Sequence, residues 1–182
     1  MKNIYILLTK SETILSKIVH LVTADAYTHV SIAFDENLQT LYSSSRKNGR
    51  TLFPAGPCRE YLHKGYYKRH SQIPCAVYEL KVSDEAYEKA IEEVQHIMAK
   101  ANQYHFNIIG LLLCRFNIPY HRKHYFFCSQ FVSEVLNRSQ AVILPKDTSL
   151  MRPIDYTQLP ELLCLFRGYL CDFANQKQLS FA

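Results

Sequence analysis

The first half of the chain contains four segments with the residue pattern of β-strands. Residues 3–8 form a short apolar run that is rich in β-branched and aromatic side chains. Strands are also predicted at 28–34, 38–43 and 75–82. Because the intervening residues 35–37 (Asp-Glu-Asn) favour a turn, we expect the second and third segments to form an antiparallel hairpin.

Apolar residues at helical spacing predict four helices. These helices cover residues 11–22, 83–101, 107–116 and 128–136. Ser83 is expected to cap the second helix, because its hydroxyl can accept a backbone N–H and two acidic residues follow it in the first turn.

The stretch from residue 44 to residue 72 has no regular period and is interrupted by glycine and proline. We expect a loop excursion there, and long loops inside a domain tend to be lids or binding surfaces. The last apolar segment, 162–172, is expected to form one strand or two short ones. The order of elements predicts a single α+β domain that spans residues 1–182.

Composition places the chain among globular proteins, since 48% of its 182 residues are hydrophobic and 20% are charged. A chain of this length buries enough surface to fold without a disulfide or a metal. We recognise no signal peptide and no membrane-spanning run, so we expect a cytoplasmic protein. Its six cysteines are then expected to be reduced thiols.

The net charge of +5 is distributed unevenly. Seven lysine and arginine residues lie between Arg46 and Arg69, and Glu60 is the single acid among them. Such a basic stretch attracts phosphate or carboxylate groups, although a solvated loop is an equal alternative. Nucleic-acid binding is disfavoured, because no recognised nucleic-acid-binding module accompanies the charge.

Cys128 has the sequence context of a nucleophile. It follows two phenylalanines and opens a predicted amphipathic helix, where unpaired N–H groups and the helix dipole favour a thiolate. The same N–H groups can stabilise the oxyanion that forms when a thiolate attacks an acyl carbon. The alternative is a buried structural cysteine, since free cysteine is commonly buried.

His29 is the preferred base among the eight histidines. A cysteine nucleophile needs a base within hydrogen-bond reach, and this base is usually histidine. His29 opens a predicted strand whose other positions are apolar or small, whereas most of the other histidines lie in polar stretches. A structural histidine without a catalytic role is the alternative.

Two motifs in this order resemble the circularly permuted branch of the NlpC-type papain-like cysteine hydrolases. They are Tyr27-Thr28-His29-Val30-Ser31 and, about a hundred residues later, Cys128-Ser129-Gln130-Phe131. In this branch, which includes the YiiX-like and the lecithin retinol acyltransferase-like proteins, the histidine strand precedes the cysteine helix. Residues 151–156, with Pro153 and Asp155, are similar to the Pro-x-Asp turn that follows the cysteine helix in the family.

The resemblance implies a papain-like core, in which an antiparallel sheet carries His29 and packs against the helix of Cys128. Family members add a third polar residue on the next strand to orient the imidazole. The corresponding positions here hold no carboxylate, amide or imidazole, so Tyr42 and Ser43 are the candidates, with a backbone carbonyl or a water as a substitute. Both are weaker orienting groups than a carboxylate.

The expected function is therefore hydrolysis of an amide bond, of the peptide or cell-wall type, through a Cys128–His29 dyad. The backbone amides of Cys128 and Ser129 are the candidate oxyanion donors, and Tyr27 is a candidate for lining the site. Acyl transfer or lipid hydrolysis on the same fold is an alternative, and so is a binding module with a degraded triad. The basic stretch favours an anionic substrate.

We expect no cofactor and no metal. His121 and His124 have ligand side chains and lie shortly before Cys128, but their spacing matches no strong metal motif. The chain also lacks a glycine-rich phosphate-binding loop.

Overall fold

Within the described residues, six strands form an antiparallel sheet. The computed structural model describes residues 1–10, 25–46 and 54–179, so the helix expected at 11–22 lies outside them. The six strands are Lys2–Thr9 (β1), His29–Ala33 (β2), Leu41–Arg46 (β3), Ala55–Glu60 (β4), Pro74–Val82 (β5) and Leu162–Tyr169 (β8). Their order across the sheet is β4-β3-β2-β1-β5-β8. The hairpin expected from the turn at 35–37 is confirmed, because Ile32 of β2 lies opposite Tyr42 of β3.

Five α-helices accompany the sheet in this part of the chain, and the α+β class is confirmed. They are Gly65–Arg69 (α1), Asp84–Ala99 (α2), Ile108–Arg115 (α3), Cys128–Arg138 (α4) and Leu170–Leu179 (α5). Ser83 caps α2 as expected, since its hydroxyl accepts the N–H of Ala86 at 3.1 Å. Among the described helices, none has both the length and the apolar composition needed to cross a bilayer.

The alternation along β1 sends neighbouring side chains into two different cores. Ile4, Ile6 and Leu8 belong to a cluster that also holds the buried side chains of α2 and α4. Tyr5 and Leu7 belong to a second cluster, which α1 and α5 close on the other face of the sheet. Each fully buried aliphatic side chain contributes about 1.5–3 kcal/mol relative to an exposed one.

Residues 44–72 differ from the loop excursion expected there. The described part of this stretch contains the end of β3, all of β4 and the short helix α1. The strand was missed because Gly56 and Pro57 are poor strand residues. β4 is an edge strand, however, and edge strands tolerate proline. A Cβ at Gly56 would lie 2.8 Å from the carbonyl oxygen of Tyr104, so this glycine permits close packing and does not form a turn.

The final apolar segment also differs in part from the expectation of one or two strands at 162–172. β8 ends at Tyr169, and the chain continues directly into α5. Two further strands of two residues each, His105–Phe106 (β6) and Tyr125–Phe126 (β7), pair in parallel outside the main sheet. This small pair leads the chain into α4.

Candidate active site

Cys128 is the first residue of α4. Two contacts fix the backbone of β7, which lies just before it. β7 is paired with β6, and the Ser44 hydroxyl donates a hydrogen bond of 2.7 Å to the carbonyl of Phe126. Phe127 then has extended backbone angles, which turn the chain from strand to helix. The thiol lies in a nearly closed environment, since Cys128 is 5% exposed.

The first turn of α4 presents backbone N–H groups beside the thiol. The first bond inside the helix runs from the N–H of Phe131 to the carbonyl of Phe127 at 2.9 Å. The N–H groups of Cys128, Ser129 and Gln130 therefore have no carbonyl partner within the helix, as at any helix start. This geometry suits the stabilisation of an anion that develops next to the sulfur.

His29 opens β2, opposite Thr9 of β1, and α4 packs across β2 and β3. The imidazole Nε2 lies 3.1 Å from both carboxylate oxygens of Glu60. The side chains of this pair are only 13% and 15% exposed. Since Nε2 is occupied by the carboxylate, Nδ1 is the ring nitrogen left for the thiol of Cys128.

Glu60 collects further hydrogen bonds from three hydroxyl groups. Ser31 donates at 2.6 Å, Ser45 at 2.7 Å and Tyr67 of α1 at 3.3 Å. His29 and Ser31 share one face of β2, because side chains alternate along a strand. Ser45 and Glu60 lie on the same side of β3 and β4, and the Glu60 side chain reaches both serines and the imidazole.

His29 and Glu60 shift each other's pKa in opposite directions. Burial opposes the ionised form of Glu60, but the charge of His29 and the hydrogen bonds from His29, Ser31 and Ser45 lower its pKa to about 2. Burial likewise opposes the protonated form of His29, but the charge of Glu60 and hydrogen bonds with Cys128 and Glu60 raise its pKa to about 10. At neutral pH the site therefore holds an imidazolium against a carboxylate.

No protein-family model matches the chain, and no curated protein matches it either.

The two residues expected to orient His29 lie elsewhere. The hydroxyl of Ser43 donates a 2.7 Å hydrogen bond to the carbonyl of Val30. The ring of Tyr42 packs against Phe34, with the guanidinium of Arg59 above it. Glu60 takes the position beside Nε2 instead, and it comes from β4, one strand further across the sheet than expected.

A signal for Glu60 was present in the sequence. It is the single acid between seven cations, and an isolated carboxylate inside a basic stretch is a natural counter-ion. The signal was missed because 44–72 was interpreted as a loop. The position of Glu60 depends on the register of β4, in which it lies opposite Leu41.

Tyr27 and Ser129 have different surroundings. Tyr27 is buried in the first core cluster, and this burial raises its pKa. Ser129 is buried in the first turn of α4, where its carbonyl accepts a 3.0 Å hydrogen bond from the Tyr156 hydroxyl. The same hydroxyl bonds Ser133 at 2.7 Å, so Tyr156 fixes the first turn of α4 from the core side.

A second polar contact fixes α4 from the side of α3. Asn107 caps α3 by accepting the N–H of Gly110 at 2.9 Å, and its amide donates to the side chain of Gln130 at 3.0 Å. Its backbone N–H donates to the carbonyl of Phe126. Helix α3 and the helix of Cys128 are thus joined at their N-terminal ends.

The histidines before Cys128 have separate partners. His121 contacts the carboxylate of Asp147 at 2.8 Å, and the ring of His124 packs against Tyr104. Within the described residues, no group of three or more histidine, cysteine or acidic side chains is arranged to hold a metal ion.

Proposed function

We propose that the protein is a cysteine hydrolase that cleaves an amide bond, of the peptide or cell-wall type, through a thioester intermediate. Cys128 is the nucleophile, and His29 is the general base and acid. Glu60 orients His29 and favours its protonated form. The observation that carries the proposal is the His29–Glu60 pair beside a thiol at the start of a helix. This is the base-and-orienter arrangement that activates a nucleophile in hydrolases on unrelated folds.

The geometry supports a two-step reaction. In the proposed starting state the imidazolium of His29 holds the proton that Cys128 has given up. The sulfur of Cys128 then adds as a thiolate to the carbonyl carbon of the amide. The oxyanion receives hydrogen bonds from the N–H groups of Cys128 and Ser129. His29 returns the proton to the leaving amine, and the thioester remains.

Water completes the cycle. It attacks the thioester while His29 takes one of its protons, and collapse of the second tetrahedral intermediate releases a carboxylic acid. The sulfur leaves as a thiolate paired with the imidazolium. Throughout, Glu60 stays ionised and holds the ring through Nε2, so that Nδ1 keeps facing the reacting groups.

The same arrangement supports membership of the permuted papain-like branch. The histidine strand precedes the cysteine helix in the chain, and the helix packs on the sheet that carries the histidine. Tyr156 of the 151–156 turn binds the cysteine helix, which gives the third similar segment a structural role. In this proposal Glu60 is the third polar residue of the site.

A binding module with a degraded triad was suggested by the lack of a strong orienting group near Tyr42 and Ser43. Glu60 supplies that group, so the geometry favours the enzyme. We further propose that the protein works in a reducing compartment such as the cytoplasm, because all six cysteines are free thiols.

The first test is selective alkylation of Cys128 by iodoacetamide near neutral pH, with the modified residue identified by mass spectrometry. The other cysteines serve as internal controls, since burial raises the pKa of Cys75 to about 12 and that of Cys114 to about 11. Cys164 is exposed and controls for simple accessibility. We expect Cys128 to react fastest, despite its burial, and to lose this advantage in His29→Ala.

The second test is turnover. Activity-based screening with peptide and muropeptide amides should yield a substrate whose acyl group is trapped on Cys128 at low pH. Equal reactivity of Cys128 and Cys164, unaffected by His29→Ala, would contradict the enzyme and favour the binding module.

A further inference from the structure

Helix α3 is apolar on two sides, and the described residues of the chain pack against only one of them. Leu111 and Cys114 are buried against Phe127, Ala55 of β4 and Phe106 of β6. On the opposite side, Ile109 is 52% exposed, Leu112 41%, Phe116 72% and Ile118 49%. We refer to these four residues as the α3 ridge. Exposed apolar side chains grouped on and directly after one surface helix often mark an interaction site.

The ridge is a fixed surface. Asn117 adopts a left-handed conformation with φ 57°, and its N–H donates to the carbonyl of Cys114 at 3.1 Å. The N–H of Ile118 reaches back to the carbonyl of Leu113 at the same distance. These two bonds form a Schellman motif, which ends the helix and holds Phe116 and Ile118 against its last turn.

The sequence around α3 is basic. Residues 94–133 contain no aspartate or glutamate, whereas they contain four cations, Lys100, Arg115, Arg122 and Lys123. The last three are exposed. Among the described residues, two acids approach from neighbouring segments, and both contact His121: Asp147 at 2.8 Å and Glu134 at 3.9 Å.

We propose that the α3 ridge and its flanking cations form a docking site for an anionic lipid bilayer. Apolar side chains of a surface helix enter the boundary between headgroups and acyl chains, and nearby lysine and arginine residues attract anionic headgroups. Helix α3 has only eight residues, far fewer than the ~20 that a membrane span needs, so it lies on the bilayer and does not cross it.

The size of the ridge favours a bilayer over a second protein. A stable protein interface takes roughly 20–30 residues a side, and four apolar residues provide a small part of that. A bilayer accepts a few inserted side chains because the cations add about 1 kcal/mol each. The inference stands apart from the proposed hydrolase, although Asn107 would hold the start of α4 close to the bound surface.

The test is sedimentation of the full chain with vesicles at low salt. Vesicles of equal parts phosphatidylcholine and phosphatidylglycerol are compared with vesicles of phosphatidylcholine alone. The ridge variant carries Leu112→Ser and Phe116→Ser, and the charge variant carries Arg122→Gln and Lys123→Gln. A matched control carries Leu163→Ser and Leu165→Ser, which are 58% and 44% exposed on β8 at the opposite edge of the sheet.

We expect the wild type to bind the anionic vesicles, and the ridge and charge variants to bind them at least about tenfold more weakly. The β8 control should bind as the wild type does. Equal binding by the ridge variant and the wild type would overturn the inference, and so would equal binding to neutral vesicles. A dimer that depends on the ridge, without vesicle binding, would assign the surface to a second copy and also overturn it. Cys128 alkylation, measured in parallel, reports on the hydrolase site separately.

Discussion

Nε2 of His29 lies at the same distance, 3.1 Å, from the two carboxylate oxygens of Glu60, which is 31 residues further along the chain. Each oxygen also accepts a hydroxyl hydrogen bond, from Ser45 on one side and from Ser31 on the other. The carboxylate is thus held at both ends and cannot rotate away from the ring. Side chains from β2, β3 and β4 together therefore fix the orientation of His29.

Replacing Glu60 with glutamine should remove the charge that supports the imidazolium while it preserves the shape of the side chain. We expect kcat/KM, or the alkylation rate of Cys128 before a substrate is found, to fall by about 10²–10⁴-fold. Glu85→Gln is the matched control, because Glu85 is an exposed acid paired with Lys89. Equal rates for the two variants would remove Glu60 from the proposed site.

The stabilising effect of the pair should depend on pH. The pKa of His29 is raised from 6.5 to about 10, so its contribution is complete below about 6.5 and is lost as the pH rises through 10. The pKa of Glu60 is lowered from 4.5 to about 2, so its contribution is complete above about 4.5 and is lost as the pH falls through 2.

The wild type should therefore exceed Glu60→Gln in unfolding free energy most clearly between about pH 4.5 and 6.5. The difference there should be about 3 kcal/mol, the lower end of the range for removing one partner of a buried pair. Urea unfolding at a series of pH values measures it. A difference that stays constant from pH 4 to pH 10 would argue against the ion pair.

Tyr156→Phe should loosen the first turn of α4 without touching the reacting groups. The variant leaves the buried Ser133 hydroxyl and the Ser129 carbonyl without their partner, which costs about 1–3 kcal/mol of stability. Chemical denaturation checks the stability, and Cys128 alkylation should slow by less than it does in Glu60→Gln. Tyr169→Phe, at a tyrosine that is 53% exposed, should change neither quantity.

Gly56→Ala should destabilise the fold by about 1–3 kcal/mol, because the new Cβ would lie 2.8 Å from a backbone oxygen of Tyr104. Gly65→Ala provides a contrast. A Cβ there meets nothing within 4 Å, and only the positive φ of 60° opposes the change. We expect a cost of about 1 kcal/mol for Gly65→Ala. Thermal unfolding of the two variants distinguishes crowding from backbone strain.

The sequence pattern predicted the elements whose residues follow one period and lie within the sheet or its cores. β1, β5 and α2 are examples, since burial on a fixed side imposes the period. β4 and α1 were not predicted, because their residues have weak local propensity for a strand or a helix. Gly56 and Pro57 occur in a strand only because β4 is an edge strand beside the close backbone of Tyr104.

The sequence likewise predicted some residues of the candidate site and not others. Cys128 and His29 each have a local signal, a helix start and a strand start, and the structure brings them together. Glu60 has a local charge signal, but nothing in the neighbouring sequence places it beside His29, because its position depends on which strand pairs with β3 and in which register. The expectation of Tyr42 or Ser43 assumed that the next strand would supply it, whereas β4 does.

The order of the chain has a consequence for synthesis. His29 lies on β2, Ser45 on β3 and Glu60 on β4. All three strands precede Cys128 by 68 residues or more, counted from Glu60. At the rate of translation this gap takes on the order of seconds. The imidazole and its counter-ion can therefore meet in the nascent chain before Cys128, the proposed nucleophile, is synthesised. Cys128 would then reach a histidine whose carboxylate partner is already in place.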